Sequence, residues 1–476
     1  DNVMRGINAT PIKVPSFYKR WDKSIKALIE NIELDIWTLK ESTVESQMEL
    51  NHKKIEFEQK LFLWYVYLVF HLQISDLKND FTITESGFLL NGWIPVRNLN
   101  KLEESLKKYD DNATLVYKIM EYNSEHPEIE TEVEIPISLT GNKVLKPFSG
   151  LVSNYGFPKY GDLNPLPLVL FTYIFMFGLM FGDIGHGGLI LSAGLFFILN
   201  PFRALYKVKD FGWILIACGI SSIIFGILFG SIFGKEDILH HIWFSPMEEI
   251  NLLLAFGLII GVTVISLGMI LMIIQSFLKH KIEEAFFGEW GILSLSFYWI
   301  IGVVSVLIIS GVWSLKGNLP IIIILFATPL VLLLFKEPIS SLFSKKKDPG
   351  AEHKEKEGLF VSVINLFIFI IDIFSNSLSH LRLSAFALTH AAMSGAIFLI
   401  ARALSSMVRS SFGQGVINWI IFILGTILII LLEGLIVGIQ AMRLNYYEFF
   451  SKFFEGGGKE FKPVKLITKD VLNFKK

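Results

Sequence analysis

The chain holds a single cysteine, Cys218, among its 476 residues. One cysteine excludes an internal disulfide framework and any multi-cysteine metal site. Its place inside an apolar run reads as a small buried residue. Charge is scarce as well: 18% of residues are Asp, Glu, Lys or Arg, where a soluble domain carries about 25%. That shortage excludes an ordinary cytosolic enzyme and a disordered chain. Lys plus Arg number 43 and Asp plus Glu 44, for a net charge of −1. No basic excess is left for nucleic acid, so no nucleic-acid partner is expected. No Gly-rich loop is followed by Lys-Ser or Lys-Thr, so no ATP-hydrolysing site is expected. No acidic and histidine cluster has metal-ligand spacing on one helix, and neither metal nor other cofactor is expected. The opening Asp1-Asn-Val-Met-Arg5 has no initiator Met at position 1 and no signal-peptide pattern. A processed or partial chain is the expectation.

What is present is apolar. Hydrophobic residues make up 52%, with a mean hydropathy of +0.52. Phe211 to Phe233, Leu252 to Phe277 and Trp290 to Leu315 contain no charge. Each exceeds the roughly 20 residues that span a bilayer core as a helix. We read eight spans: 166–183, 187–202, 211–233, 252–278, 290–315, 319–335, 359–405 and 416 to beyond 442. The last two exceed a perpendicular crossing and imply tilt or extension beyond the bilayer. With the amino-terminal part inside, the inner loops 203–210, 279–289 and 336–358 carry eleven Lys and Arg against four in the outer loops. That asymmetry fits the positive-inside rule and places both termini in the cytoplasm.

Residues 1–145 read as a cytoplasmic arm, and 146–476 as the membrane domain with a short cytoplasmic tail. Ser16 to about Ile74 contains no Pro or Gly and repeats apolar residues among charges, as at Ile25, Leu28, Ile32 and Leu39. The pattern predicts one helix about 90 Å long at 1.5 Å per residue. So long a helix needs a coiled-coil partner. A small αβ lobe, about 79–140, follows: a strand and turn at Phe88–Pro95, a helix at Leu99–Tyr109, and strands at Leu115–Glu121 and Val133–Ile135. The expected fold class is mainly α: an eight-span helical membrane domain with two long tilted carboxy-terminal helices, preceded by a cytoplasmic αβ lobe on a long coiled-coil helix.

Ionisable groups within spans are expensive and mark function. Span seven holds Asp372, His380, Arg382 and His390; span eight holds Glu433 and Arg443, with Gln440 between them. Arg382 lies near the middle of its span. At roughly 100° per residue, Ser375, Ser379, Thr389 and Met393 share its face. An arginine keeps its proton, so it is no proton carrier; it can hold a carboxylate ionised or block direct passage. The structural reading is a snorkelling or ion-paired arginine. Glu433 follows a charge-free stretch from Ser411 to Leu432, and a buried glutamate can take up and release a proton. The competing reading pairs it with Arg382 or Arg443. Asp372 and His390 could line water paths on either side of Arg382, although a histidine in a plain helix contact fits His390 and His380 equally well. Asp183 and His186 read as a wet turn between the first two spans.

The same residues carry a family resemblance. Ser379-His-Leu-Arg-Leu-Ser-Ala-Phe-Ala-Leu-Thr-His-Ala-Ala-Met393 resembles the Ser-Tyr-x-Arg-Leu…Leu-x-His-Ala signature of the large membrane stator subunit of V-type and archaeal A-type ATPases. Glu433-Gly-Leu with Gln440-Ala-Met-Arg-Leu-Asn-Tyr-Tyr-Glu448 is similar to that family's carboxy-terminal motif. Leu90-Asn-Gly-Trp-Ile-Pro95, Lys146-Pro-Phe148 with Tyr155-Gly-Phe-Pro158, and Phe177-Gly-Leu-Met-Phe-Gly-Asp-Ile-Gly-His-Gly187 resemble further family motifs. The likeness runs in order through most of residues 80–476. His380 departs from it, standing where the family usually has Tyr.

The resemblance implies a non-catalytic, ion-translocating subunit of a rotary ATPase, with protons as the expected ion. Arg382 would separate two half-channels and face the carboxylate of a rotor ring of proteolipid c/K subunits. Glu433 and His390 would belong to a half-channel, and Arg443 would be the second arginine. Ser379, Gln440 and Asp372 complete the candidate set, although Asp372 matches no family channel position. Peripheral-stalk subunits of E/G or E/H type, a central-stalk subunit of d/C type and the bilayer are the implied partners. The location would be the cell membrane in an archaeon or bacterium and an endomembrane in a eukaryote. The rival is a stand-alone secondary transporter or channel, for which internal repeats are common; no clear repeat relates the two halves of the span series. A membrane-anchored scaffold would leave Arg382 and Glu433 unexplained.

Overall fold

A computed structural model describes residues 25–79, 81–84, 87–109, 114–119, 135–139, 145–199, 209–235, 239–313, 317–335, 359–454 and 456–463. It is mainly helical and divides into two compact units, residues 1–94 with 463–476, and residues 95–462.

The first unit contains α1 (Ile25–Asn79) and an antiparallel pair, β1 (Phe81–Thr84) and β2 (Gly87–Leu90), in which Phe81 lies opposite Leu90. The 55 residues of α1 form one unbroken helix, because Pro and Gly are absent from the segment and pairs such as Glu49–Lys53 and Glu56–Lys60 sit four apart. It ends five residues beyond the expected 74; residues 16–24 lie outside the described residues. Trp37 and Trp64 are 61% and 64% exposed, so this helix buries little apolar surface within its own unit.

The second unit opens with α2 (Leu99–Tyr109), on the expected bounds. The strand expected at 115–121 is absent from its described part: residues 114–119 have no regular secondary structure. An extended segment becomes a strand only with a ladder partner for its N–H and C=O groups, and none pairs with these residues among those described. Of the strand expected at 133–135, only Ile135 is described, and it is not in one. After α3 (Ser149–Ser153) come the apolar helices α4 (Leu166–Met180), α5 (Ile184–Leu199), α6 (Lys209–Phe229) and α7 (Ile250–Leu278). Then follow α8 (Ile282–Phe287), α9 (Ile292–Ile309), α10 (Leu319–Leu334), α11 (Leu359–Ser379) and α12 (Leu381–Ser405). The last stretch is α13 (Ser411–Leu428), a π turn at Ile429–Glu433, α14 (Gly434–Arg443), a second π stretch at Leu444–Phe450, and α15 (Ser451–Phe453).

Among the described residues, five helical stretches are long and apolar enough to cross a membrane: Lys209–Phe229, Ile250–Leu278, Ile282–Ile309, Phe360–Ser405 and Ser411–Phe453. Three more, α4, α5 and α10, are apolar but shorter. Each overlaps an expected span, but the length for a crossing is met by the first five. At 15 or 16 residues, the short ones reach about 24 Å, less than a hydrocarbon core of about 30 Å.

Small residues set the packing, as they do where helices meet in an apolar solvent. A Cβ on Gly194 would lie 2.8 Å from Gly212 O, and one on Gly219 would lie 2.7 Å from Leu191 N. The backbones of α5 and α6 therefore touch. The main core gathers Met176, Phe181, Leu383, Phe449 and Phe450; a second, around Ile265, Met269, Trp290 and Phe369, joins α7, the turn before α9, and α11. Beyond α15 the chain returns to earlier backbone: Gly458 N donates to Phe157 O at 2.9 Å, and Ile137 N to Lys459 O at 2.8 Å.

Replacing Gly219 by Leu should therefore force α5 from α6. Since no rotamer removes a clash at Cβ, the expected loss is about 1–3 kcal/mol or more. Thermal unfolding of the detergent-solubilised protein checks this, with Gly188→Leu, where a Cβ meets nothing within 4 Å, as the control.

Candidate functional site

Span seven was expected as one helix; it is interrupted by a turn at His380. The cause is local competition for a carbonyl. His380 Nδ1–H donates to Asn376 O at 2.9 Å, the group that would accept the backbone N–H of His380 in an unbroken helix. That N–H turns to Ser377 O at 3.3 Å instead. Helical arithmetic carried across His380, which put Ser375 and Ser379 on the face of Arg382, is therefore interrupted between α11 and α12.

The start of α12 is fixed to α7 by backbone contact. Ser384 Oγ donates to Leu253 O at 2.6 Å. A Cβ on Gly257 would sit 2.1 Å from Ser384 Oγ, and one on Gly261 would sit 2.6 Å from His380 Cβ. Arg382 lies between these anchors. Its Nη1 is buried without a hydrogen-bond partner, and it forms no ion pair within 4 Å among the described residues. It interacts electrostatically with Arg443 and with Glu448. Glu448 is buried, accepts a hydrogen bond from Ser379 Oγ, and keeps Oε2 unpartnered. Arg443 is exposed, and Gln440 holds a buried, unpartnered Oε1. Asp372 is half-buried and interacts electrostatically with Lys452, whose Nζ lies 3.2 Å from the centre of the Trp290 ring. Five of the seven candidates thus face one another in pairs or through Glu448, while Asp372 and Gln440 stand aside.

Glu433 pairs with neither arginine. Its Oε2 lies 2.9 Å from Nδ1 of His390, and both side chains are buried. His390 also approaches His186 (ring centres 5.2 Å apart) and Phe181 (4.3 Å). Asp183 and His186 are not a wet turn: both are buried, at 0% and 2% exposure. Asp183 accepts hydrogen bonds from Ser231 Oγ and from the amides of His186, Phe233 and Gly234, at 2.7 to 2.9 Å. These contacts draw the turn inward. The signal for this burial was the run Gly182-Asp-Ile-Gly-His-Gly-Gly188, since a Cβ on Gly185 would lie 2.4 Å from the Phe233 ring. Glu448 was missed for another reason. It sits beyond Arg443, where helical reading of span eight had run out, inside a π stretch.

The chain matches the model of the V-type ATPase 116kDa subunit family over residues 1–250 and 337–466, and it belongs to that family. It is 25% identical to the A-type ATP synthase subunit I of Methanocaldococcus jannaschii over 450 residues, 86% of this chain and 59% of the relative. It is 27% identical to the protein of the same description from Pyrococcus horikoshii over 447 residues, 89% of this chain and 62% of the relative. To the V-type proton ATPase 116 kDa subunit a 4 of Caenorhabditis elegans it is 27% identical over 264 residues, 53% of this chain and 21% of the relative. The chain spans about three fifths of the length of the archaeal relatives. Its long apolar helices and its family make it a membrane protein.

Glu433→Ala should leave His390 buried without its partner and lower stability by about 1–3 kcal/mol. Glu433→Gln keeps an acceptor and should lose less. Melting temperatures of both variants against the parent protein check the order.

Proposed function

We propose that this chain is the ion-conducting stator of a rotary ATPase, with protons as the ion, and that Arg382 divides two offset half-channels and faces a carboxylate on a rotor ring of proteolipid c/K subunits. The observation that carries this reading is the Arg382 guanidinium: buried at Nη1, unpartnered there, on a helix start anchored to α7. A permanent cation with no ion pair among the described residues is suited to a carboxylate supplied by another chain.

An ion enters one half-channel and neutralises the ring carboxylate, which can then face lipid at far lower cost than a charged one. Rotation brings that carboxylate to Arg382, which favours its ionised form, and the ion leaves by the other path. Glu433 and His390 serve the outer path; Ser379 with Glu448, and Asp372, serve the inner one. Gln440 and Arg443 flank the crossing point. Exposed apolar side chains along α11 and α13, such as Phe367, Phe374, Trp419 and Leu424, support a face that meets the ring or lipid.

In this reading all eight apolar stretches cross, the short ones in a locally thinned bilayer, and both termini are cytoplasmic. Residues 1–145 form the arm and 146–476 the membrane domain. The exposed apolar residues of α1 meet a peripheral stalk of E/G or E/H type, and a d/C-type subunit joins the ring to the central stalk. The membrane is the cell membrane in an archaeal or bacterial source and an endomembrane in a eukaryotic one. The gathering of ionisable groups on the last two long stretches favours this over a stand-alone transporter.

Arg382→Ala in the assembled complex should abolish ATP-driven ion pumping into vesicles while the ring still co-purifies. Pumping at the parental rate would refute the assignment. Ion flux from the isolated chain, with no ring present, would favour the transporter.

A further inference from the structure

Beyond the pairing of Glu433 with His390, the structure assembles a second set of groups around the same imidazole. We propose that Asp183, His186 and His390 form a binding site for a divalent transition-metal cation, with Zn²⁺ the best match. One ligand atom from each of the three lies within 4.8 Å of the others, and all three residues are buried. Zinc ligands at about 2.0–2.1 Å in tetrahedral geometry stand about 3.3 Å apart. Small side-chain rotations therefore close the site.

The donor set selects the class of ion. Two imidazoles and one carboxylate suit Zn²⁺ and its neighbours, whereas Ca²⁺ and Mg²⁺ require oxygen ligands. Three protein ligands leave a fourth position open.

The surrounding groups are arranged as outer partners of a metal. Glu433 Oε2 accepts from Nδ1–H of His390 at 2.9 Å, which turns Nε2 away from Glu433. That Nε2 is buried and has no hydrogen-bond partner. A carboxylate on the far nitrogen is the usual means of orienting a ligating histidine. His186 Nδ1, 3.1 Å from Asp183 Oδ1, is likewise buried without a hydrogen bond. Asp183 is steadied by Ser231 Oγ and three amides, and ligating carboxylates are themselves hydrogen-bonded as a rule.

Charge gives an independent reason. Asp183 and Glu433 are both buried, and among the described residues neither has a Lys or Arg within 4 Å. A divalent cation supplies the charge that these two carboxylates lack. Phe181, 4.3 Å from the His390 ring, and Phe233, 5.3 Å from the His186 ring, flank it with apolar surface. Binding here does not require the proposed role of His390; a block of ion flow by bound zinc does.

The test uses the intact complex, stripped with a chelator and then titrated with Zn²⁺. Bound metal is measured by mass spectrometry, and the ligands by X-ray absorption at the zinc edge. The expected result is one zinc per copy of this chain with two imidazoles in its first shell, and affinity at least about tenfold weaker in His186→Gln. Equal zinc retention by parent and variant, or a first shell without imidazole, overturns the proposal. So does failure of the unmutated complex to retain zinc, which needs no variant and is independent of any folding defect. Ion pumping by the metal-free complex is scored separately, so loss of the metal site leaves the stator reading standing.

Discussion

Arg382 keeps its charge in any surroundings, and charge within an apolar protein is costly unless something offsets it. Among the described residues, the offset does not come from an ion pair. The backbone that carries it is held by geometry: Ser384 grips Leu253 O, and the bare backbones at Gly257 and Gly261 let α12 lie directly on α7. The break at His380 follows from the same arrangement, because its ring occupies the carbonyl that would have continued α11. Backbone contact thus positions the segment that carries the cation. It leaves the charge available to a group outside the chain.

The acids complement this. Glu433 is matched with His390, Asp183 with Ser231 and three backbone amides, and Glu448 with Ser379. Among the described residues, none of the three lies within 4 Å of an arginine or lysine. Their partners are hydrogen-bond donors without a fixed positive charge. Keeping Arg382 out of a direct ion pair with these acids is what the proposed two-path mechanism needs. A direct Arg382–Glu433 pair would have removed both groups from it.

Much of this was legible from residues alone. The eight apolar stretches, the bounds of α2 and the span-seven and span-eight charges were all readable, because hydropathy and helix periodicity act locally. The pairing of Glu433 was not, since His390 lies on another helix and only packing brings them together. The burial of Asp183 and His186 was misread for a related reason. A polar, glycine-rich turn resembles a solvated one until the close approach of Phe233 is known. The strand expected at 115–121 failed because a strand is defined by its partner, which periodicity cannot supply.

The π turns were the least legible feature, and they explain where the candidate groups fall. An unbroken α-helix repeats side chains every 3.6 residues, and each π turn inserts extra residues and shifts the following face. The first turn ends at Glu433; the second begins just after Arg443 and contains Glu448. The ten residues of α14 between them keep regular spacing. Two phase shifts therefore lie on either side of that segment. They let one helix turn Glu433 toward His390 and, farther along, Glu448 toward Ser379 and the neighbourhood of Arg382. A straight helix would carry its polar groups along one fixed stripe. Two displaced acids on a single helix are the backbone counterpart of the two offset paths proposed to meet at Arg382.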